Sequence, residues 1–513
     1  MSRWQPSWFK TLAVLIALAG LAAWRAGDVG ARSFTIVHLN DVYEIFPVPV
    51  RVGDTYEHRG GLAYVGTLIR QARQRGPVLV LHAGDFISPS LLSIKFKHSG
   101  AQMIDAMNAI GVDVATPGNH EFDLGCRTLA DRVRQSTFQW NVANVTLPDS
   151  MELPTGRVVA YQVVTVDGLR IGIFGLTLPL AAVRCERGEI TFRDPVTVAR
   201  EVIAILKRER VQIVVALTHL PLATDRALAA EVPEIDLIIG GHDHHRMVDL
   251  VGKTVIAKAD ANATSVGAIH MKTLSANGTV VAEKHWSSLE VTPRSIAPDA
   301  QVVSALTRYA TELEPLKRTV GATDVPLDLR EEIVREGESN FGNYIADLIR
   351  AEMRAEVAII NGGALRGDRI TPAGALTLED VQTALVFQDR LVAINVTGEQ
   401  VRLALENGVS RAGERDGRFP QVSGLSFTFD PDRPAGSRIL RARIGGRPLS
   451  LKGVYRMATI SFLTTAGNMD GYVLPTRTLG MGGELTEIVL RHLATGRIKP
   501  AVEGRIVSLR QPR

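Results

Sequence analysis

Short, near-continuous runs of valine, isoleucine and leucine punctuate the first half of the chain, and five of them stop at residues suited to holding a metal ion. Phe34–Leu39 stops at Asn40-Asp41, and Val78–Leu81 runs through His82-Ala83-Gly84 to Asp85. Val112–Ala115 leads to Gly118-Asn119-His120-Glu121-Phe122-Asp123, Ile213–Leu217 leads to His219, and Ile238-Ile239 leads through two glycines to His242-Asp243-His244. Apolar runs of this length read as strands buried on both faces. Between them Gly61–Gln74, Gln102–Ile110 and Asp194–Arg208 carry apolar residues at helical spacing. Strands alternating with helices predict an α/β domain, whose ligands gather beyond the carboxyl ends of the strands.

The pattern changes near residue 298. Asp299–Lys317 reads as one amphipathic helix, followed by a new set of strands (Val357–Ile360, Leu391–Val396, Leu425–Phe429) and helices (Phe341–Ala351, Glu399–Glu406). A chain of 513 residues exceeds what one hydrophobic core supports. The expected division is a leader over 1–31, a first α/β domain over 33–297, a connector helix over 298–319, and a second α/β domain over 320–513.

The leader rests on Arg3 and Lys10 ahead of the apolar stretch Leu12–Trp24. That stretch is shorter than the roughly 20 residues that span a bilayer, so it fits an export signal, with an uncleaved membrane anchor as the alternative. Either places the bulk of the chain outside the cytoplasm, periplasmic or secreted, or anchored and facing outward. Net charge is +4, with basic residues scattered rather than clustered, so neither a nucleic-acid polymer nor a membrane patch is indicated as partner. A monomer is expected, with membrane association only through an uncleaved leader. Cys126 and Cys185 are the only cysteines. Sequence alone leaves their pairing open, because it does not place their Cβ atoms.

The donors after the five runs are carboxylate, amide oxygen and imidazole, without thiolate, a set that suits zinc, manganese, iron or cobalt. Asp85 can bridge two cations through its two oxygens. Within 118–123, Asn119 offers a neutral oxygen, His120 an imidazole, and Asp123 a carboxylate able to fix that imidazole's tautomer. The competing reading is helix-start chemistry, with Asn119 as cap and Glu121 and Asp123 in the first turn. His219 alone would read as a hydrogen-bonded core residue, whereas the histidines after Gly240-Gly241 favour metal.

Taken together, Asp41, Asp85, Gly118–Asp123, His219 and Gly241–His244 resemble, in order, the motifs of calcineurin-like metallophosphoesterases. The second domain makes the chain most similar to the exported 5′-nucleotidase, UDP-sugar hydrolase and 2′,3′-cyclic nucleotide phosphodiesterase group. The resemblance implies a four-layer β-sandwich flanked by helices, a connector helix and a second α/β domain. It implies two divalent metal ions, with Asp85 bridging, Asp41 and His244 on one, and Asn119, His219 and His242 on the other. His120, oriented by Asp123, then stabilises the transition state or protonates the leaving oxygen, while hydroxide activated between the metals attacks phosphorus. One departure stands out. The family's first motif is usually Asp-x-His, and here it reads Asp41-Val42-Tyr43-Glu44. Tyr43 as a phenolate, Glu44, or water fills that position, or one metal site is weak.

In the second domain Asn361-Gly362-Gly363-Ala364-Leu365-Arg366 resembles that group's Asn-Gly-Gly-x-x-Arg motif, which implies substrate contacts from Asn361, Gly363 and Arg366. The group's two base-stacking rings and ribose-holding aspartate correspond to Phe419, Phe462 and Asp470, although Ala466-Gly467-Asn468-Met469 lengthens the approach to Asp470. Core packing is the competing role for Phe462, and Arg411 is a further phosphate-contact candidate. The resemblance implies a hydrolase releasing phosphate from a nucleoside 5′-phosphate. Close rivals are 2′,3′-cyclic phosphodiesterase, UDP-sugar hydrolase and sulfur-ester hydrolase chemistry, and a nucleotide-binding protein with a decayed metal site is the rival of another class.

Overall fold

The computed structural model describes residues 31–52, 55–276 and 279–510. The expected leader lies outside them, apart from its final residue. The chain divides into two compact units: one gathers the chain up to Val48 with His58–Ser88 and Gly100–Leu306, and the other gathers Pro49–Glu57, Pro89–Ser99 and Thr307–Arg513.

The first unit is built on two sheets. Ala31–Leu39, Val78–His82, Val114–Ala115 and Gln139–Asn141 run parallel at the heart of a seven-stranded sheet, closed on one side by the hairpin Ser265–Ala276 and Thr279–Glu290. Leu169–Thr177, Ile213–His219 and Leu237–Gly240 run parallel in a six-stranded sheet. The sheets face each other across one apolar core, with Phe34, Ile36 and Leu81 from one side meeting Ile173, Val215, Leu217 and Ile239 from the other. Val214, Ala216 and Ile238 point to the opposite face, onto Pro195–Arg208 and Leu222–Glu231. Side chains therefore alternate between two buried faces, and this is why the strands read as unbroken hydrophobic runs. The layering is the helix-flanked sandwich expected from the sequence.

Local chemistry sets the helix ends. Asp194 accepts from Thr197 N ahead of Pro195, and Ala101–Ile110 stops at Gly111 with φ 75°. The helices at 62–75, 101–110 and 195–208 fall within a residue or two of their predicted spans.

In the second unit a five-stranded sheet orders Pro420–Ser423, Val357–Asn361, Val454–Ile460, Arg390–Thr397 and Gly480–Glu484. Asn340–Glu352, opened by the Ser339 cap, packs Ile345 and Ile349 onto this sheet's core. Thr397 closes a capping box with Gln400 that starts Gly398–Gly408. No helix among the described residues is long and apolar enough to cross a membrane.

Candidate metal centre

Parallel strands bring their carboxyl ends to one edge, and that single fact assembles most of the site. Asp41, Asp85 and Asn119 follow strands of the first sheet, and His219, His242 and His244 end or follow strands of the second. Asp41, Asp85 and His219 are fully buried, with ligand-type atoms within 4.8 Å of one another. His219 Nε2 stands 3.1 Å from Asp85 Oδ2 and 3.9 Å from Asp41 Oδ1, and His244 Nε2 stands 3.4 Å from Asp41 Oδ1. The rings of His219 and His242 lie 5.3 Å apart.

The atoms left without partners fit a cation. His219 Nδ1 is 2.7 Å from Ala83 O, and a carbonyl only accepts, so Nδ1 carries the hydrogen and Nε2 presents a lone pair. That Nε2 makes no hydrogen bond, and neither does the buried Oδ1 of Asn119. A proton competes for the same lone pair of His219. Burial opposes charge on His219, but the Asp85 and Asp41 carboxylates outweigh it and raise the ring to about 9. Asp85 is held well below the usual carboxylate range, because the His219 and His120 rings overcome the cost of burial. Burial, followed by repulsion from His219, lowers His242 to about 4. The donor set of oxygens and imidazoles matches divalent zinc, manganese, iron or cobalt.

Glycines make the approach possible. A Cβ on Gly118 would collide with Asp85 Oδ1, and one on Gly241 would collide with Ala83 O. The candidate ligands are themselves wound tightly: Asp41, Asp85, His242 and His244 have φ of 53°, 59°, 81° and 60°, left-handed values uncommon outside glycine.

Tyr43 occupies the position of the absent histidine. Its hydroxyl lies 2.9 Å from His244 Nε2, 3.2 Å from Asp85 Oδ2 and 3.5 Å from Asp41 Oδ1. Beside it, His120 Nδ1 is 2.7 Å from Asp123 Oδ2, its backbone N–H donates to Asp85 Oδ1 at 2.8 Å, and its Nε2 is 4.0 Å from Asp85 Oδ2. The carboxylate thus fixes which nitrogen of His120 faces the cluster.

Two residues that the sequence reading left out of the site shape it. Glu121 is no mere first-turn acid. Fully buried, it accepts Asp85 N and Gly118 N on one oxygen, at 2.8 and 2.5 Å, and Phe86 N and Ile87 N on the other, at 2.8 and 3.0 Å. Burial, with Asp85 adding to it, pushes its carboxyl up to about 7, against the pull of those four donors. Asn262, in a short turn with φ 54°, accepts Tyr43 N and donates its own N–H to Asp41 O. A glutamate three residues after Gly118 was the available signal for the first; nothing local marked the second.

In the second unit, Asn361 ends its strand and donates to Asp470 Oδ2 at 2.6 Å, while its own Oδ1 is buried and unpartnered. Gly363 donates to Gly417 O at 2.7 Å, an approach that leaves 3.0 Å between a would-be Cβ and the Gly417 Cα. Asp416 accepts from Arg411 at 3.1 Å and from Arg418 at 2.8 Å. Burial first, then Asp416, raises Asp470 to about 6. These groups form one polar cluster around Asn361, Gly363 and Asp470, with Arg411 joined through Asp416. Phe419 stands apart: it is 1% exposed and set edge-on to Phe429 at 5.8 Å, so neither face is open to a planar base in this conformation. Its ring belongs to the hydrophobic core of the second unit. Phe462 is half-buried and packs on the same core, and Arg366 is half-buried with its N–H on Ala384 O. Cys126 and Cys185 form a disulfide, with Cα atoms 5.6 Å apart.

Comparison with known proteins agrees with this architecture. Residues 34–246 match the calcineurin-like phosphoesterase model and residues 319–475 the 5′-nucleotidase C-terminal domain. The chain is 31% identical over 93% of its length to the trifunctional nucleotide phosphoesterase protein YfkN of Bacillus subtilis, although it spans only 35% of that longer protein. It is 26% identical to human 5′-nucleotidase, with 96% of this chain and 94% of the human protein covered. The crystal structure of a 5′-nucleotidase precursor from Thermus thermophilus superimposes with a TM-score of 0.85 at 29% identity, covering 94% of this chain and all of that one. A metallophosphoesterase sandwich joined to a 5′-nucleotidase C-terminal domain places the chain in the 5′-nucleotidase family of metallophosphoesterases, hydrolases of phosphoric esters.

Proposed function

We propose that the protein is an exported 5′-nucleotidase that uses two divalent metal ions to release phosphate from nucleoside 5′-phosphates. The observation that carries this reading is the buried Asp41–Asp85–His219 cluster with the His120–Asp123 pair against it. Asp85 would bridge, with Asp41, Tyr43 and His244 serving one ion and Asn119, His219 and His242 the other. When bound, such ions neutralise phosphate charge and activate water.

The chain's own residues supply the rest. Asp123 keeps the hydrogen of His120 on Nδ1, so that protonation of the ring places a transferable proton on Nε2, on the side facing Asp85. Glu121 holds the Asp85 and Gly118 backbones in register while that happens. In the second unit Asn361 and Asp470 present an acceptor-rich patch suited to ribose hydroxyls, and Arg411 and Arg366 are the anion contacts. Export is supported by the Cys126–Cys185 disulfide, a bond typical of oxidising compartments. Tyr43 within reach of both carboxylates supports a phenolate ligand over a decayed site.

The test is phosphate release from AMP, ADP, UDP-glucose and 2′,3′-cyclic AMP, with manganese or zinc added and with a chelator. Release that is fastest from AMP and abolished by chelation is expected. Activity that survives chelation overturns the scheme.

A further inference from the structure

Beside the candidate ligands lies a buried charge network that the catalytic scheme does not use. Lys258 ends the strand Thr254–Lys258, paired in parallel register opposite Gly240, and is fully buried. A buried lysine requires oxygens around it, since an unpaired ammonium is among the costliest groups to remove from water. Here the oxygens come from particular places. Nζ donates to Leu220 O at 2.6 Å and Gly241 O at 2.8 Å, and faces Asp243 Oδ2 at 2.5 Å and Asp225 Oδ2 at 2.8 Å.

Leu220 follows His219 directly, Gly241 precedes His242, and Asp243 separates His242 from His244. One ammonium therefore holds the backbone carbonyls beside His219 and His242, and the carboxylate of the residue between His242 and His244. The surroundings keep it in that place. Asp225 accepts from Thr218 Oγ1 at 2.8 Å, one residue before His219, and Asp243 accepts from Leu222 N at 3.1 Å. A Cβ on Gly240 would meet Lys258 Cε at 2.8 Å, so the strand leaves space only for an unsubstituted residue there. His242 and His244, held with left-handed backbones, have no regular secondary structure to fix them. A general support for the fold would not need two contacts on the four-residue loop Gly241–His244 and a third on the residue after His219.

We infer that Lys258 is a positioning residue of the metal centre, an ammonium hub that sets His219, His242 and His244 at the spacing divalent cations require. This rests on the metal-centre reading above. Outer contacts that orient ligands typically change metal affinity by about 10–100-fold.

Two variants test it. K258M/D225N removes both charges of the buried pair and keeps an oxygen for Thr218. D243N keeps an oxygen for Leu222 N while removing the carboxylate that faces Lys258. Chelator competition with zinc or manganese on purified parent and variants, together with thermal melts of the chelated proteins, supplies the readout. The expected result is a fall in metal affinity of about 10–100-fold in folded variants, and D243N decides alone where the double variant does not fold. Folded variants with the parent's metal affinity, whether or not their chelated melting points fall, overturn the inference and leave the metal centre standing. A parent that takes up no metal overturns the centre itself.

Discussion

Replacing Glu121 with glutamine isolates what holds the Asp85 loop in place. The side chain is fully buried, and its two oxygens take four backbone N–H groups, from Asp85, Phe86, Ile87 and Gly118. Glutamine has the same shape but only one acceptor oxygen. Whichever way the amide turns, two N–H groups confront an NH2 that cannot accept. Above the pH of about 7 at which Glu121 ionises, hydrogen bonds to the charged carboxylate contribute about 1.5–3 kcal/mol each, so losing two costs on the order of 3–6 kcal/mol. That is a large fraction of the roughly 5–15 kcal/mol that keeps a domain folded.

For a unit of this size each kcal/mol shifts the melting point by about 2–4 °C, so a fall of roughly 6–24 °C is expected. Calorimetric melting of chelated parent and E121Q measures it. The damage should also be directional. The orphaned pair is either Asp85 N and Gly118 N or Phe86 N and Ile87 N. In both cases the segment carrying Asp85 loosens, so metal uptake by the folded variant should weaken as well. A variant that melts within about 2 °C of the parent and binds metal equally well would refute the reasoning, because it would mean that water or a backbone shift supplies the missing acceptors.

His120→Ala should retain its metal while kcat falls by about 10²–10⁴, and near-normal turnover by initial-rate kinetics would remove His120 from the reaction. Tyr43→Phe deletes the one oxygen of that side chain within reach of Asp41, Asp85 and His244, so elemental analysis should drop from two metals per chain to one; two retained metals would take Tyr43 out of the ligand set. Acid lability follows from two histidines buried neutral: burial lowers His82 to about 3 and His38 to about 4, against about 6.5 in the unfolded chain. Between pH 6.5 and 4 the unfolded chain binds protons that the folded one refuses, so this stability is complete above about 6.5 and is lost as pH falls. At pH 5 each ring costs about 2 kcal/mol, and H38L/H82L melts should show a smaller drop between pH 7 and pH 5 than the parent; an equal drop would contradict the assignment.

Much of the first unit was legible because its signal is phase. Asp41, Asp85, Asn119, His219 and His242 each come after an apolar run, and parallel strands turn a common phase in sequence into a common edge in space. What stayed hidden depends on partners far along the chain. Glu121 takes its meaning from N–H groups of a loop 34 to 36 residues earlier. Lys258 looks like an ordinary strand-end lysine until Asp225 and Asp243 close around it. Cys126 and Cys185 are 59 residues apart, with nothing between them that announces a bridge. Phe419 shows the converse: its motif resembles a binding segment, yet its ring, just ahead of the strand Pro420–Ser423, packs edge-on to Phe429 within the core.

These hidden residues share a task, and it accounts for their burial. Asp41, Asp85, His242 and His244 all hold left-handed backbone conformations. Such conformations cost on the order of 1–3 kcal/mol each outside glycine and persist only where surrounding structure over-determines them. Glu121 grips the Asp85 segment through four N–H groups, Asn262 takes Tyr43 N and gives its own N–H to Asp41 O, and Lys258 holds the carbonyl before His242 and the carboxylate after it. Each tight turn therefore has its own polar anchor, drawn from a different stretch of chain. Ligand motifs alone would leave this strain uncompensated, so a sequence that kept Asp41 through His244 but lost Glu121 or Lys258 should resemble the family and bind metal poorly.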